Sequence, residues 1–202
     1  MRGRHGERSG ETRRRVAHEA ARLMSEQGIR NFQMAKLKAA ERLGIHDDTH
    51  LPKNSEIEHA LREHQQIFGG EAHAHHLREL RETAVEAMRF FGSFEPRLVG
   101  AVLDGTADNH SAVCLHLFCD TPEQVIDFLS EQGIPFEEET RQLRLDHETR
   151  EEFPVFVFSA DDTPIDLTVL PHDYIRQAPL DRVDEKPMRR ASLSALEELL
   201  KT

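Results

Sequence analysis

The residues with the clearest chemical potential lie on two short apolar runs. Asp166 is a lone carboxylate in Ile165–Leu170 (IDLTVL), and Cys114 and His116 alternate along Val113–Phe118 (VCLHLF). Alternate residues of a strand share a face, so Cys114 and His116 project together. Shortly upstream lie a small-residue turn, Gly105-Thr106, and Ser111 in the polar loop that follows it. Asp104 and Asp108 flank that turn. With His116 they are the candidates for metal ligation beside Asp166, although an imidazole is a poor ligand for a hard cation such as Mg²⁺.

A second group is His73-Ala74-His75-His76. On a helix His73 and His76 share a face and would ligate Zn²⁺ given a third partner. No CxxC or HExxH accompanies them, so the spacing reads first as a solvated helix start. The third group is basic. The first 42 residues hold 11 Lys and Arg against 5 Asp and Glu. Arg13, Arg14, Arg15, Arg22, Lys36 and Lys38 are the candidates for contact with nucleic-acid phosphates. The plainer alternative is a solvated helix face whose arginines pair with nearby acids.

These residues need elements to hold them. Residues 1–11 are charged and glycine-bearing and read as a disordered tail. Val16, Ala20, Leu23 and Met24 fall at helical spacing, which predicts a helix from Thr12 to Gln27 closed by Gly28. Asn31 is placed to cap a second helix ending at Gly44. Ser55-Glu56-Ile57-Glu58 has the spacing of a capping box for a third, ended by Gly69-Gly70. A fourth covers about Glu71 to Phe91. A polar loop, His46–His50, separates the second and third.

After Pro96 the period becomes strand-like. Strands are predicted over Leu98–Leu103, Val113–Phe118, about 140–145, Phe153–Ser159 and Ile165–Leu170, the last two joined by a turn at Ala160–Pro164. Thr121-Pro122 starts a helix that runs to Gly133, and Ser192 caps a short final helix over Leu193–Leu200. Lys186–Ser192 also has the form of a basophilic kinase site, for which the cap role of Ser192 is sufficient explanation.

Composition sets the class. The chain of 202 residues has a net charge of −11. Residues 1–95 carry 16 Lys and Arg against 15 Asp and Glu, and residues 96–202 carry 10 against 22, so the negative charge sits in the second half. An acidic half suits a protein partner, a basic arm suits nucleic acid. No apolar run approaches the roughly 20 residues needed to cross a bilayer, and no apolar segment follows the charged N-terminus. A soluble cytoplasmic protein with no membrane association is the expectation. The two cysteines, Cys114 and Cys119, would face opposite ways on a strand and read as reduced thiols.

The order strand, Gly105-Thr106 turn, loop, strand, helix, strand, strand–turn–strand over about residues 97–171 resembles the polymerase-beta-type nucleotidyltransferase superfamily. In that family a Gly-Ser or Gly-Gly turn precedes Ser-Asp-h-Asp-h (h, apolar), and a third acid follows in an h-Asp-h setting. The resemblance aligns Gly105-Thr106 with the turn, Ser111-Ala112-Val113-Cys114 with the acid-bearing strand and Ile165-Asp166-Leu167 with the third acid. It implies two Mg²⁺ ions held by three carboxylates, binding a triphosphate and activating a hydroxyl. Here two of the three acid positions are Ala112 and Cys114, and neither offers a hard oxygen. A weaker resemblance, over residues 12–45, is to the first two helices of TetR-type repressors. The acids and proline of His46–Pro52 follow where a recognition helix would be needed.

The expectation is therefore an α+β protein. A disordered tail (1–11) and a helical region (12–95) precede a small mixed-sheet nucleotidyltransferase-like domain (96–202), on which the helices pack. The function expected is that of a pseudoenzyme binding a nucleotide or nucleic acid. Its site would comprise Asp166 with Gly105, Thr106, Ser111 and His116, and it would need no cofactor. The alternatives are an active nucleotidyltransferase using Mg²⁺ through relocated acids, and a regulatory module that binds another protein through the acidic half.

Overall fold

A computed structural model describes residues 3–45, 51–65, 70–146, 148–181, 183 and 185–201, with side chains from residue 10 onward. The loop predicted at His46–His50 and the helix stop at Gly69 lie outside the described residues. The fold is α+β, with seven α-helices and one five-stranded mixed sheet among the described residues. The chain divides into two compact units, one within residues 1–74 and 182–184, the other within 75–181 and 185–202.

The first unit contains helices α1 (Gly3–Gln27), α2 (Phe32–Arg42) and α3 (Asn54–His64). Helix α1 starts well ahead of Thr12, where the periodicity placed its beginning. Its apolar stripe, Val16, Ala20 and Leu23, meets Ala35 and Ala39 of α2 and Ile57 and Leu61 of α3 in one buried cluster. The alanines let the helix axes approach closely, so the cluster needs few large side chains. Asn31 caps α2 as expected, its Oδ1 accepting from the Met34 N–H at 3.0 Å. At α3 the cap differs from expectation. Glu56, not Glu58, reaches back, accepting from the Lys53 N–H at 2.7 Å, and Ser55 lies exposed inside the first turn.

The second unit takes in most of α4 (Gly70–Phe90), from His75 onward. The sequence had grouped this helix with the preceding ones. Leu80, Ala84, Val85 and Met88, however, bury themselves in the core of the sheet. The sheet strands are β1 (Arg97–Val99), β2 (Val113–Phe118), β3 (Glu137–Arg144), β4 (Arg150–Ala160) and β5 (Thr163–Leu170), in the order β1-β2-β5-β4-β3. β2 and β5 are parallel; every other neighbouring pair is antiparallel. Helix α5 (Ala101–Asp104) follows β1, α6 (Glu123–Glu131) follows β2, and α7 (Leu193–Lys201) closes the chain.

One sheet face is apolar. Leu98, Leu115, Leu117, Ile165, Leu167 and Phe156 are almost wholly buried in the cluster that includes α4, Val125 and Leu129 of α6 and Leu196 of α7. The opposite face carries Cys114, His116, Asp166 and Thr168, because each lies one residue out of phase with that apolar set. A smaller cluster, Phe118, Leu143, Leu145, Phe153 and Leu170, seals one end of this second face. The β4–β5 connection is a tight hairpin with Asp161 and Asp162 both at positive φ (45° and 68°), as a two-residue turn requires.

The predicted strand Leu98–Leu103 proves to be two elements. β1 stops at Val99 because Gly100 adopts φ 73°, ψ −155° and turns the chain into α5, a conformation essentially confined to glycine. The glycine turn that ends the first strand is thus Gly100, not Gly105-Thr106. A Cβ on Gly100 would lie 4.0 Å from Cβ of Cys114, so this turn runs alongside the polar sheet face.

Candidate functional site: an arginine-lined sheet face

Parallel pairing of β2 with β5 sets Cys114 directly opposite Asp166, and His116 opposite Thr168. Antiparallel pairing of β1 with β2 sets Val99 opposite Cys114, and Arg97 opposite His116. Two adjacent rows therefore cross the sheet: Val99–Cys114–Asp166 and Arg97–His116–Thr168. The structure brings together Asp166 and His116 from among the expected site residues, with Cys114 beside them.

Asp166 is not available as a metal ligand. Arg141 of β3 reaches across β4 and grips its carboxylate with both terminal nitrogens, Nη1 to Oδ1 at 2.8 Å and Nη2 to Oδ2 at 2.6 Å. Nη1 also donates to Thr168 Oγ1 at 3.0 Å. On β4, Phe153 stands opposite Arg141, while Val155 and Val157 stand opposite Thr168 and Asp166, so the arginine reaches its partners diagonally. Asp166 is only 8% exposed. Its charge, hydrogen-bonded to the guanidinium, holds the Arg141 proton more tightly than usual, and burial works in the opposite direction. Cys114 and Glu139 add smaller attractions to Arg141.

Two further arginines border the same face. Arg190 stacks over the Phe118 ring, 5.4 Å from its centroid, and donates to the carbonyls of Tyr174 at 2.8 Å and Ile175 at 2.9 Å. Arg97 donates to the carbonyls of Glu95 and Pro96, both at 3.0 Å. Burial eases the proton off Arg190, with repulsion from Arg97 as the next cause. Among the described residues neither Arg97 nor Arg190 has a carboxylate within salt-bridge distance.

His116 lies between these cations, 2% exposed, with Nδ1 buried and lacking a hydrogen-bond partner among the described residues. Burial, then the charges of Arg190 and Arg141, push its pKa down to about 3, so the imidazole is neutral at physiological pH. Cys119, on the opposite phase of the chain, donates to the Thr121 carbonyl, and burial raises its thiol to about 11. It is inert.

The other expected nucleotide-binding residues stand elsewhere in the unit. Gly105, at φ 79°, closes α5 and abuts Leu77 and Arg81 of α4, while the Thr106 N–H is spent on the Ala101 carbonyl. Arg81 fixes this corner by donating to the carbonyls of Val102 and Leu103. Ser111 closes a turn with Asp108: its hydroxyl donates to Oδ1, and its oxygen accepts from the Asp108 N–H, both at 2.9 Å. Asp108 is thereby committed to its own turn, and Asp104 is paired with Arg189 at 3.1 Å.

For the histidine group, His76 contacts the Asp108 carbonyl at 3.3 Å, and both His75 and His76 lie near Glu79. No three His, Cys, Asp or Glu side chains among the described residues form a metal-binding set. Of the basic residues in the first unit, Arg22 is clamped by Glu19 and Glu26, and Lys36 is partly buried, which lowers its pKa. Arg13 is half-buried, and Arg14, Arg15 and Lys38 are exposed.

The Mg²⁺ ions implied by the nucleotidyltransferase resemblance do not fit this donor set. Ala112 offers no ligand, Cys114 offers sulfur, and the one carboxylate is already neutralised by a bidentate guanidinium. Arg97, Arg141, Thr168 and Arg190 were not singled out by sequence. No helix among the described residues is long and apolar enough to cross a membrane. No protein-family model matches the chain, and no curated protein matches it.

Proposed function

We propose that the second unit is a nucleotidyltransferase-like domain that binds a nucleotide in the cytoplasm without transferring its nucleotidyl group. The observation that carries the reading is the bidentate Arg141–Asp166 pair. A guanidinium stands beside the third-acid position, where a catalytic member of such a family would need a free carboxylate for its metal ions. Supporting it are the strand order, in which β2 lies between antiparallel β1 and parallel β5, and the register that sets Cys114 against Asp166. The relocated-acid alternative is weakened by the engagement of Asp104 with Arg189 and of Asp108 with Ser111. A nucleotide is favoured over nucleic acid because two of the six basic candidates in the first unit, Arg22 and Lys36, are respectively ion-paired and partly buried.

The test has two readouts on the same protein. A nucleoside triphosphate present at about 100 times its Kd should stabilise the fold by roughly 2.7 kcal/mol, raising Tm. Incubation of labelled nucleotide with Mg²⁺ or Mn²⁺ and total RNA or protein should give no labelled product. Transfer that Asp166→Asn abolishes would show an enzyme instead.

A further inference from the structure

Resting on the nucleotide-binding reading, we infer that the ligand's polyphosphate seats directly on Arg97, Arg141 and Arg190 around His116, with no divalent cation between them. In a half-chain that holds 10 basic residues against 22 acidic ones, three arginines from three separate segments border one sheet face. The carboxylates that act on Arg141 are Asp166 and Glu139. Arg97 and Arg190 are held by main-chain carbonyls, which fix a guanidinium's orientation without cancelling its charge. Each guanidinium has five N–H donors, so donors remain for a ligand.

The second observation is independent of the arginines. The imidazole of His116 is buried with Nδ1 unpartnered among the described residues, and such groups are rare unless a ligand or water supplies the partner. Its place is between the cations. Arg97 is its cross-strand neighbour on β1, and Thr168, which Arg141 touches, is its neighbour on β5. With strands about 4.8 Å apart, the two flanking positions are about 10 Å apart, enough for a chain of two or three phosphates. A phosphate oxygen there would accept from Nδ1–H, and its negative charge would offset the mutual repulsion of Arg97 and Arg190. Arg141, locked by Asp166, supplies oriented N–H donors rather than net charge, and the net positive charge comes from Arg97 and Arg190.

A consequence separates this mode from metal-dependent binding. Mg²⁺ coordinates the same phosphate oxygens and lowers their charge, so it competes with the arginines. ATP and inorganic tripolyphosphate are titrated into the full chain by calorimetry, in EDTA and in saturating Mg²⁺. Binding of both in EDTA, ATP the tighter, and weaker binding in Mg²⁺ are expected. Arg97→Gln should lose about tenfold in affinity, as should Arg190→Gln, the size of one charge-assisted hydrogen bond. Arg78→Gln, a remote change on α4, should lose none. Arg97→Gln is the primary variant, because it gives up only two carbonyl contacts at an edge strand; an unchanged Tm verifies its fold.

ATP binding that requires Mg²⁺ would overturn the inference and leave the nucleotide reading standing. Binding in EDTA indifferent to Arg97→Gln and Arg190→Gln would overturn the seat. Tripolyphosphate binding as tightly as ATP would support the seat and remove the nucleoside from the reading. Absence of binding by either would overturn both.

Discussion

The guanidinium of Arg141 meets the carboxylate of Asp166 in a two-point pairing, 2.8 and 2.6 Å, from residues 25 apart in sequence and on strands separated by β4. Asp166 is buried and Arg141 is partly exposed. The pair decides what the polar sheet face can and cannot do: it occupies the one carboxylate suited to a hard cation and leaves a net-neutral pair with a guanidinium held in a fixed orientation.

Removing one partner should cost more than removing both. Arg141→Leu leaves Asp166 buried without its counter-charge and should lower stability by about 2–4 kcal/mol, the lower end reflecting the solvent access of Arg141. The double variant Arg141→Leu/Asp166→Leu should recover most of that loss, because an apolar pair avoids the uncompensated charge. Urea denaturation of the four members of the cycle measures the coupling. Additive losses would mean that the two side chains act separately.

Stability should depend on His116 at acid pH. Its pKa is about 3 in the folded protein against an ordinary value of 6.5, so between those values the unfolded chain binds the extra proton and the folded one does not. Stability is therefore full above about pH 6.5 and falls as pH drops towards 3, at a rate approaching 1.4 kcal/mol per pH unit. Thermal melts of His116→Gln should lack that part of the pH dependence. An identical slope in variant and wild type would show that carboxylates alone set the acid limb.

Gly100 should resist substitution. Gly100→Ala forces a Cβ into φ 73°, ψ −155° and should cost about 1–3 kcal/mol. Gly92→Ala meets no atom within 4 Å and has no positive φ, so a change within about 1 kcal/mol is expected there. Equal effects in denaturant midpoints would contradict the turn assignment.

Much of this fold is legible in the sequence. β2, β4 and β5 announce themselves through apolar runs, and Asn31 and Ser192 through their cap positions, Ser192 Oγ accepting from the Ala195 N–H at 3.3 Å. Each is a local signal. What was lost is non-local. Leu98–Leu103 is uniformly apolar but for Gly100, and nothing in the run says that this glycine turns rather than extends. α4 reads like its predecessors because helical spacing does not say which core a helix will face.

The site was legible only in part. Asp166 and His116 stand out as polar residues within apolar strands, and Ala112 and Cys114 stand where the nucleotidyltransferase resemblance would place acids. Arg141 is hidden in Glu137–Arg144, whose largely exposed, charged residues hide its inward face. Arg190 lies in a stretch that reads as a kinase-type motif before a helix cap. Their convergence depends on strand order and register, which adjacent residues do not encode.

A titration of wild-type protein with Mn²⁺ followed by electron paramagnetic resonance tests most directly whether the pairing with Arg141 leaves Asp166 free to hold a metal ion. No stoichiometric site is expected, with the free-ion signal rising from the first addition. One tightly bound Mn²⁺ per chain, lost in Asp166→Asn, would contradict that expectation.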